Sequence, residues 1–545
     1  MTNPLLEQAL PLARSRWWQL GCSPWWLVVG VSLLWTLLFN QSFLQAAAQV
    51  MPAQPLFMVN LGLLLTVLQA WLLTLLCWPR LFKPGLMLLW MMAAGASYFI
   101  HSYGIVIDRG MLQNALATDS REVQGLLTSK MLWWMLGLGL LPALGLGLLP
   151  LRFAPWPRHL RVWLSLLVGW LLLLVLLLLM ANQHYASFLR NHKEVRQLAT
   201  PVNVVYAAYS LARQHWQGQG LPYRQLGLDA RQSLPLAKRS KPSLLVLVVG
   251  ETARADHFSL NGYPRQTNPQ LAQLPLLSFS QVSSCGTATA VSVPCMFSLQ
   301  NRQEYDEPRA QRQDNLLDIL QRAGLEVWWL DNNSGCKGVC ERIRSIPLPE
   351  QRCEGECRDE LMTAVLLEQL QQAPQRDRVV VLHQLGSHGP DYSKRYPAQA
   401  AHFSPACQTS QLQECSQEEV INAYDNTLVY SDQVLAQLIR ALQQQGDYDS
   451  ALLYVSDHGE SLGENGLYLH GMPYLLAPEA QKHVPMLLWL SPGYQRSYGL
   501  DQACLQQQRQ QPWSHDNLVH SVLGMSRVET SVYQPQWDWN RPCYR

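Results

Sequence analysis

The stretch Leu244-Leu245-Val246-Leu247-Val248-Val249-Gly250-Glu251-Thr252 decides the fold of the second half of this chain. Six apolar residues run without interruption and stop at a glycine and a carboxylate. Such a run suits a strand buried on both faces, as in a parallel sheet covered by helices. Four further runs repeat the pattern, at residues 326–330, 378–382, 451–455 and 484–490. Helical patterns lie among them at 315–323, 361–372 and 418–443. Strands alternating with helices predict an α/β domain with a central, mostly parallel sheet over residues 241–545.

In such sheets chemistry gathers at the carboxyl ends of the strands. The run at 244–249 ends in Gly250-Glu251-Thr252. The run at 378–382 leads into His383-Gln384-Leu385-Gly386-Ser387-His388. The run at 451–455 leads into Ser456-Asp457-His458-Gly459-Glu460, with His470 further on. Carboxylate oxygen with imidazole nitrogen is the donor set Zn²⁺ takes when one position stays open for substrate. Mn²⁺ would favour more oxygen. Asp457 alone could cap a helix, and any one histidine could be an ordinary buried polar residue. Ligand types arriving together from separate strand ends point instead to a metal centre of Glu251, Asp457 and His458. His383, His388 and His470 are further candidates. The small-residue loop Ser284-Cys285-Gly286-Thr287-Ala288-Thr289-Ala290-Val291-Ser292-Val293-Pro294-Cys295 reads as the opening of a helix. A hydroxyl at a helix start faces backbone N–H groups that suit a phosphate, and zinc would favour its alkoxide. From spacing alone Thr287, Thr289 and Ser292 compete for the role of nucleophile.

The first half is different. Of 545 residues only 15% are charged, against roughly 25% in an average domain, and 20 are tryptophan. Stretches at 25–44, 56–78, 85–104, 131–151 and 162–180 each approach the ~20 apolar residues that cross a bilayer. These runs exclude intrinsic disorder and a soluble cytosolic protein. The overall charge of +2 and the absence of a basic tract give no sign of a nucleic-acid partner. Basic residues Arg14 and Arg16, Arg80 and Lys83, and Arg152, Arg158 and Arg161 fall in alternate loops, so the N-terminus is expected in the cytoplasm. An odd number of spans then puts everything after Met180 outside. No small-residue cleavage site follows the first stretch, which reads as a retained anchor. Trp17, Trp18, Trp25, Trp26, Trp133 and Trp134 near span ends suit an interfacial aromatic belt.

The expected organisation is a transmembrane domain at 1–183, a connector at 184–240 and a catalytic domain at 241–545. The connector is polar, contains Pro201, Pro222 and Pro235, and carries a stretch at 190–214 that suits a surface helix. Ten of the twelve cysteines lie beyond the spans, on the side predicted to be oxidising. Close spacing pairs Cys285 with Cys295, Cys336 with Cys340, Cys353 with Cys357 and Cys407 with Cys415. Cys504 and Cys543 are left to each other by elimination. The CxxxC spacings argue against a zinc-binding cysteine cluster.

With these residues in place, the chain resembles the phosphoethanolamine transferases of Gram-negative bacteria, most of all the lipid A branch with its chromosomal and mobile colistin-resistance enzymes. The resemblance rests on Gly250-Glu251-Thr252-Ala253-Arg254-Ala255-Asp256, on residues 284–298 (SCGTATAVSVPCMFS), 331–340 (DNNSGCKGVC), 383–390 (HQLGSHGP) and 456–471 (SDHGESLGENGLYLHG), and it extends over the five spans. It implies a five-helix transmembrane domain carrying an α/β domain of the alkaline-phosphatase/sulfatase type. It implies that Thr289 is the nucleophile and that Glu251, Thr289, Asp457 and His458 bind the catalytic zinc. His388 and His470 match positions that contact a second zinc or the substrate phosphate. Asn333, Ser334 and Lys337 match substrate contacts, and Gln113, Asn114, Thr118 and Asp119 match residues that help to bind the donor head group.

The implied reaction moves phosphoethanolamine from phosphatidylethanolamine to a lipid A phosphate through a phospho-threonine intermediate, with His388 and His470 assisting catalysis. The expected setting is the bacterial inner membrane with a periplasmic catalytic domain, in a monomer. Less negative lipid A would bind polymyxins more weakly, which makes this an antibiotic-resistance activity. Two other readings stay open: the same transfer to a core sugar, heptose or Kdo, and a membrane-anchored metal-dependent phosphodiesterase or sulfatase-like hydrolase. The CxPxR context of sulfatases is absent, because Cys295 follows Pro294 instead of preceding a proline by two residues, and leads to Met296.

Overall fold

The computed structural model describes residues 21–51, 54–117, 126–182, 184–185, 188, 193–234, 237, 239–353 and 357–545. The readings placed on Arg14, Arg16, Trp17, Trp18, Thr118, Asp119 and Pro235 lie outside them. Two compact units result: Met1–His101 with Ser129–Ala207, and Ser102–Thr128 with Ala208–Arg545. The segment between the third and fourth apolar stretches thus belongs to the second unit.

In the first unit, the helices Pro55–Leu75, Phe82–Tyr103, Ser129–Leu148 and Trp156–Met180 are each long and apolar enough to cross a membrane. The count reaches five if the bent pair Pro24–Phe39 and Gln41–Val50 is one span. Proline opens several of these helices, where its missing N–H costs nothing. The stretch expected as one helix over 25–44 breaks at Asn40 with a bend of 64°. The cause is local. Asn40 Nδ2 donates to Trp35 O at 2.9 Å and to Thr200 O at 2.7 Å, while Asn40 Oδ1 accepts from Thr200 N at 2.8 Å. A buried amide thus satisfies the backbone groups that the break sets free, as an apolar surrounding demands. Val28, Val31, Trp35, Leu73 and Trp90 form the core, with Ala93 and Ala94 allowing close approach.

In the second unit, eight strands form one sheet: β1 (Ser243–Gly250), β2 (Leu276–Ser283), β3 (Glu326–Asp331), β4 (Arg344–Pro347), β5 (Arg378–His383), β6 (Asp449–Ser456), β7 (His483–Leu490) and β8 (Trp513–Ser514). Their order is β8-β2-β7-β6-β1-β5-β3-β4. All pairings are parallel except those of β7, which runs against both neighbours. The five strands expected from sequence are the inner ones and β7. Strand β2 escaped that reading because Ser278, Ser280 and Gln281 interrupt its apolar run.

Alternation along β1 divides two cores. Leu245, Leu247 and Val249 face one layer, with Leu317, Leu320, Val519 and Val522. Leu244, Val246 and Val248 face the other, with Leu366, Leu428, Leu435 and Ile439. Helix Gln417–Gln444 begins at a capping box of Ser416 and Glu419, and helix Leu316–Arg322 at one of Asn315 and Asp318. The ten cysteines beyond the spans form the five expected disulfides. Cys22 and Cys77 are free thiols.

Candidate active site

Strands β1, β3, β5 and β6 end level with one another. Gly250 pairs with Ser456, Val249 with His383, and Asp331 with His383. Glu251, Asp457 and His458, the residues that follow, therefore leave the sheet at one rim, and all three are buried. One ligand atom from each lies within 4.8 Å of the other two.

The hydrogen bonds around them settle which lone pairs are available. His458 Nδ1 faces Gly459 O at 2.9 Å, and a carbonyl can only accept, so Nδ1 carries a proton. His458 Nε2 then faces Glu251 Oε1 at 3.3 Å and Asp457 Oδ2 at 3.4 Å. Asp457 Oδ1 accepts from His458 N at 2.7 Å and from Thr252 N at 3.2 Å. Asp457 Oδ2 is buried without a hydrogen-bond partner. An orphaned carboxylate oxygen, a second carboxylate and an imidazole nitrogen converging in the interior fit a divalent cation.

The electrostatics agree. Burial, then the neighbouring Glu251 charge, hold the Asp457 carboxyl above its ordinary range. Burial also opposes the charge on Glu251, but His458, His388 and His470 outweigh it and draw Glu251 below the usual carboxylate range. Burial disfavours a charged His458, yet Asp457 and Glu251 raise its pKa. The pair of acids thus attracts positive charge to this spot.

Of the three competing hydroxyls, Thr289 faces the cluster. Its Oγ1 donates to Glu251 Oε2 at 3.1 Å and lies 3.3 Å from His458 Nε2. Thr289 opens helix Thr289–Met296, and Ala288 at the cap position makes no side-chain cap. Thr287 Oγ1 instead donates to Met472 O, and Ser292 Oγ to Asp457 O, both at 2.5 Å.

His470 lies beside His458, with ring centroids 4.3 Å apart, and His388 lies 5.4 Å from His470. His470 Nδ1 is 3.3 Å from Glu460 Oε1. Asn333 Nδ2 donates to Glu251 Oε2 at 2.7 Å, so this side chain joins the cluster directly. Lys337 Nζ donates to Ser334 Oγ at 2.7 Å and to Ala117 O at 3.2 Å. Ala117 ends helix Arg109–Ala117, which carries Asn114 and packs on helix Thr289–Met296. His383 is not in the three-residue cluster; its Nδ1 is 3.1 Å from Asp331 Oδ2.

Three residues went unnoticed in the sequence. Thr252 bonds both acids of the cluster. Glu460, in the same segment as Asp457 and His458, is buried, and burial lifts its carboxyl to about 8. His515 accepts from Cys285 N at 3.1 Å through Nδ1 and donates from Nε2 to Ser456 O at 3.0 Å. The segment Ser456-Asp457-His458-Gly459-Glu460 offered a signal for Glu460 alone.

Fold and site together define an α/β unit of the sulfatase class, and the sulfatase family model matches residues 243–528. The model for phosphoethanolamine transferase EptA/EptB matches residues 65–216. Over 95% of its length the chain is 43% identical to phosphoethanolamine transferase EptA of Escherichia coli K12, covering 97% of that protein. It is 41% identical to phosphatidylethanolamine transferase Mcr-1 of Escherichia coli, over 87% of this chain and 91% of that one. Among solved structures, the integral membrane lipooligosaccharide phosphoethanolamine transferase A of Neisseria meningitidis superposes with a TM-score of 0.92 at 37% identity, over 96% of this chain and 99% of that one. The chain belongs to the phosphoethanolamine transferase family.

Proposed function

We propose that this enzyme takes phosphoethanolamine from phosphatidylethanolamine and transfers it to a phosphate of lipid A, with Thr289 as the nucleophile. The observation that carries the reading is the Thr289 hydroxyl, held 3.1 Å from Glu251 and 3.3 Å from His458 at the rim of the sheet. Glu251, Asp457, His458 and Thr289 would hold a zinc ion, and Lys337, Asn333, Ser334, Asn114 and Thr118 the donor head group. A bound zinc would supply positive charge that lowers the pKa of the threonine hydroxyl.

In the first half-reaction Thr289 Oγ gives up its proton to the neighbouring histidines, His388 and His470, and bonds to the phosphorus of the donor. The bond from phosphorus to the diacylglycerol oxygen breaks, and that oxygen gains a proton. Glu251 Oε2 accepts the hydrogen bond from Thr289 and orients its lone pair. In the second half-reaction an oxygen of the lipid A phosphate attacks the phosphorus, and Thr289 leaves and recovers its proton. His388 and His470 stand beside the cluster to donate to phosphoryl oxygens and to deliver the proton to the leaving oxygen. Two displacements at one residue replace a single transfer between two lipids.

The catalytic unit acts in the periplasm, the N-terminus lies in the cytoplasm, and the enzyme works as a monomer in the inner membrane. Mass spectrometry of lipid A from a polymyxin-susceptible host tests the function. The wild-type chain should add one or two phosphoethanolamine units, and Thr289→Ala none. Phosphoethanolamine on core sugars with unmodified lipid A would move the acceptor to the core. Release of free phosphoethanolamine with no modified glycolipid would make the chain a hydrolase.

A further inference from the structure

We propose that Thr252 is a positioning residue of the metal site, whose left-handed backbone lets one residue bond both carboxylates, through its amide to Asp457 and through its hydroxyl to Glu251. Thr252 directly follows Glu251, is fully buried and has φ +59°. A β-branched residue rarely adopts that conformation, and such outliers persist where the surroundings enforce them. Here the surroundings can be named. Tyr424 OH donates to Thr252 O at 2.9 Å and accepts from Arg254 N at 2.9 Å. Ala253 N donates to Ser456 Oγ at 2.8 Å. The turn after β1 is therefore pinned from helix Gln417–Gln444 and from the end of β6.

The conformation has a chemical result. Had the chain stayed extended past Glu251, successive residues would alternate between the two faces of the sheet. The left-handed residue breaks that alternation. Thr252 N reaches Asp457 Oδ1 at 3.2 Å and Thr252 Oγ1 reaches Glu251 Oε1. Asp457 Oδ1 is then shared by Thr252 N and His458 N, which turns the partnerless Oδ2 towards His458 Nε2. Glu251 is anchored at Oε1 by Thr252 and at Oε2 by Asn333. Thr252 thereby fixes both acids in the orientation in which they, with His458, can share one cation. Partners of this kind orient ligands and set metal affinity.

The inference rests on the zinc reading of the site, and the test separates the two. Zinc dissociation constants are measured by competition with a chromophoric chelator on the full-length chain in detergent. The proteins are wild type, Thr252→Val, Thr252→Ser and Tyr424→Phe, and melting of each zinc-free protein is followed alongside. Thr252→Val keeps the shape and loses the hydroxyl, and should bind zinc about 10–100-fold more weakly. Thr252→Ser keeps the hydroxyl and should restore the affinity. Tyr424→Phe touches neither carboxylate and should fall between. The zinc-free Thr252→Val protein should melt with the wild type. Wild-type affinity in Thr252→Val would overturn the proposal, and so would a serine variant as weak as the valine one. A zinc-free melting point that falls in step with the affinity would make the role structural and overturn it too. If Thr252→Val does not fold, an unchanged affinity in Tyr424→Phe overturns it. A wild-type chain that binds no zinc removes the metal reading and this inference together.

Discussion

Acidification should weaken the catalytic unit through His515, by an amount the structure sets. The imidazole is buried between the loop at Cys285 and the end of β6. Ser456 O can only accept, so Nε2 carries the proton. Nδ1 accepts from Cys285 N and has no room for a second one. Burial, with a smaller contribution from the His458 charge, lowers the pKa from 6.5 to about 4. A histidine with a depressed folded pKa stabilises the fold above its unfolded value, and that stability is lost as pH falls. The window here runs from 6.5 down to about 4. At about 1.4 kcal/mol per pH unit the loss is about 3 kcal/mol. For a unit of this size that corresponds to roughly 4 °C in melting temperature. The assay is near-ultraviolet circular dichroism melting of the full chain from pH 7.5 to 4.5, beside His515→Asn, whose side-chain oxygen can replace Nδ1 as acceptor. The variant should be less stable at neutral pH and show a shallower fall on acidification. Parallel pH profiles for the two proteins would refute the reasoning and assign the acid sensitivity to other groups.

Two further outcomes follow from the site. Gly386 has φ +53°, and a Cβ there would lie 2.7 Å from Glu251 O, so Gly386→Ala should cost about 1–3 kcal/mol and displace Glu251; a variant with unchanged melting temperature and zinc content would contradict this. Removing the metal with a chelator should lower the melting temperature of the wild type, since a ligand at 100 times its Kd stabilises by about 3 kcal/mol. Glu251→Gln should abolish most of that difference, and an equal response in both proteins would place the bound ion elsewhere.

Much of this was legible in the sequence because the inner strands are buried on both faces. Six uninterrupted apolar residues before Gly250 can hardly be anything else, and a parallel sheet fixes which end carries the chemistry. Glu251, Asp457 and His458 were therefore readable from their positions after the strand runs. The choice among Thr287, Thr289 and Ser292 was not readable from spacing, because all three sit in one small-residue loop. It depends on where each hydroxyl points, and two of them donate to backbone carbonyls from distant segments. His515 could not be read either, since it lies far along the chain from the residues it joins. The break at Asn40 was hidden in an apolar run, because its cause is a contact with Thr200.

The second unit is assembled from two pieces of chain, Ser102–Thr128 and Ala208–Arg545, with two long apolar helices encoded between them. The ribosome therefore delivers the helix carrying Asn114 long before its partners exist. Gln113 waits for Glu307, and the Ala117 carbonyl waits for Lys337. Closure of the catalytic unit is thus a late event in biosynthesis, and a fragment starting at Ala208 would lack the helix Arg109–Ala117 that packs on helix Thr289–Met296.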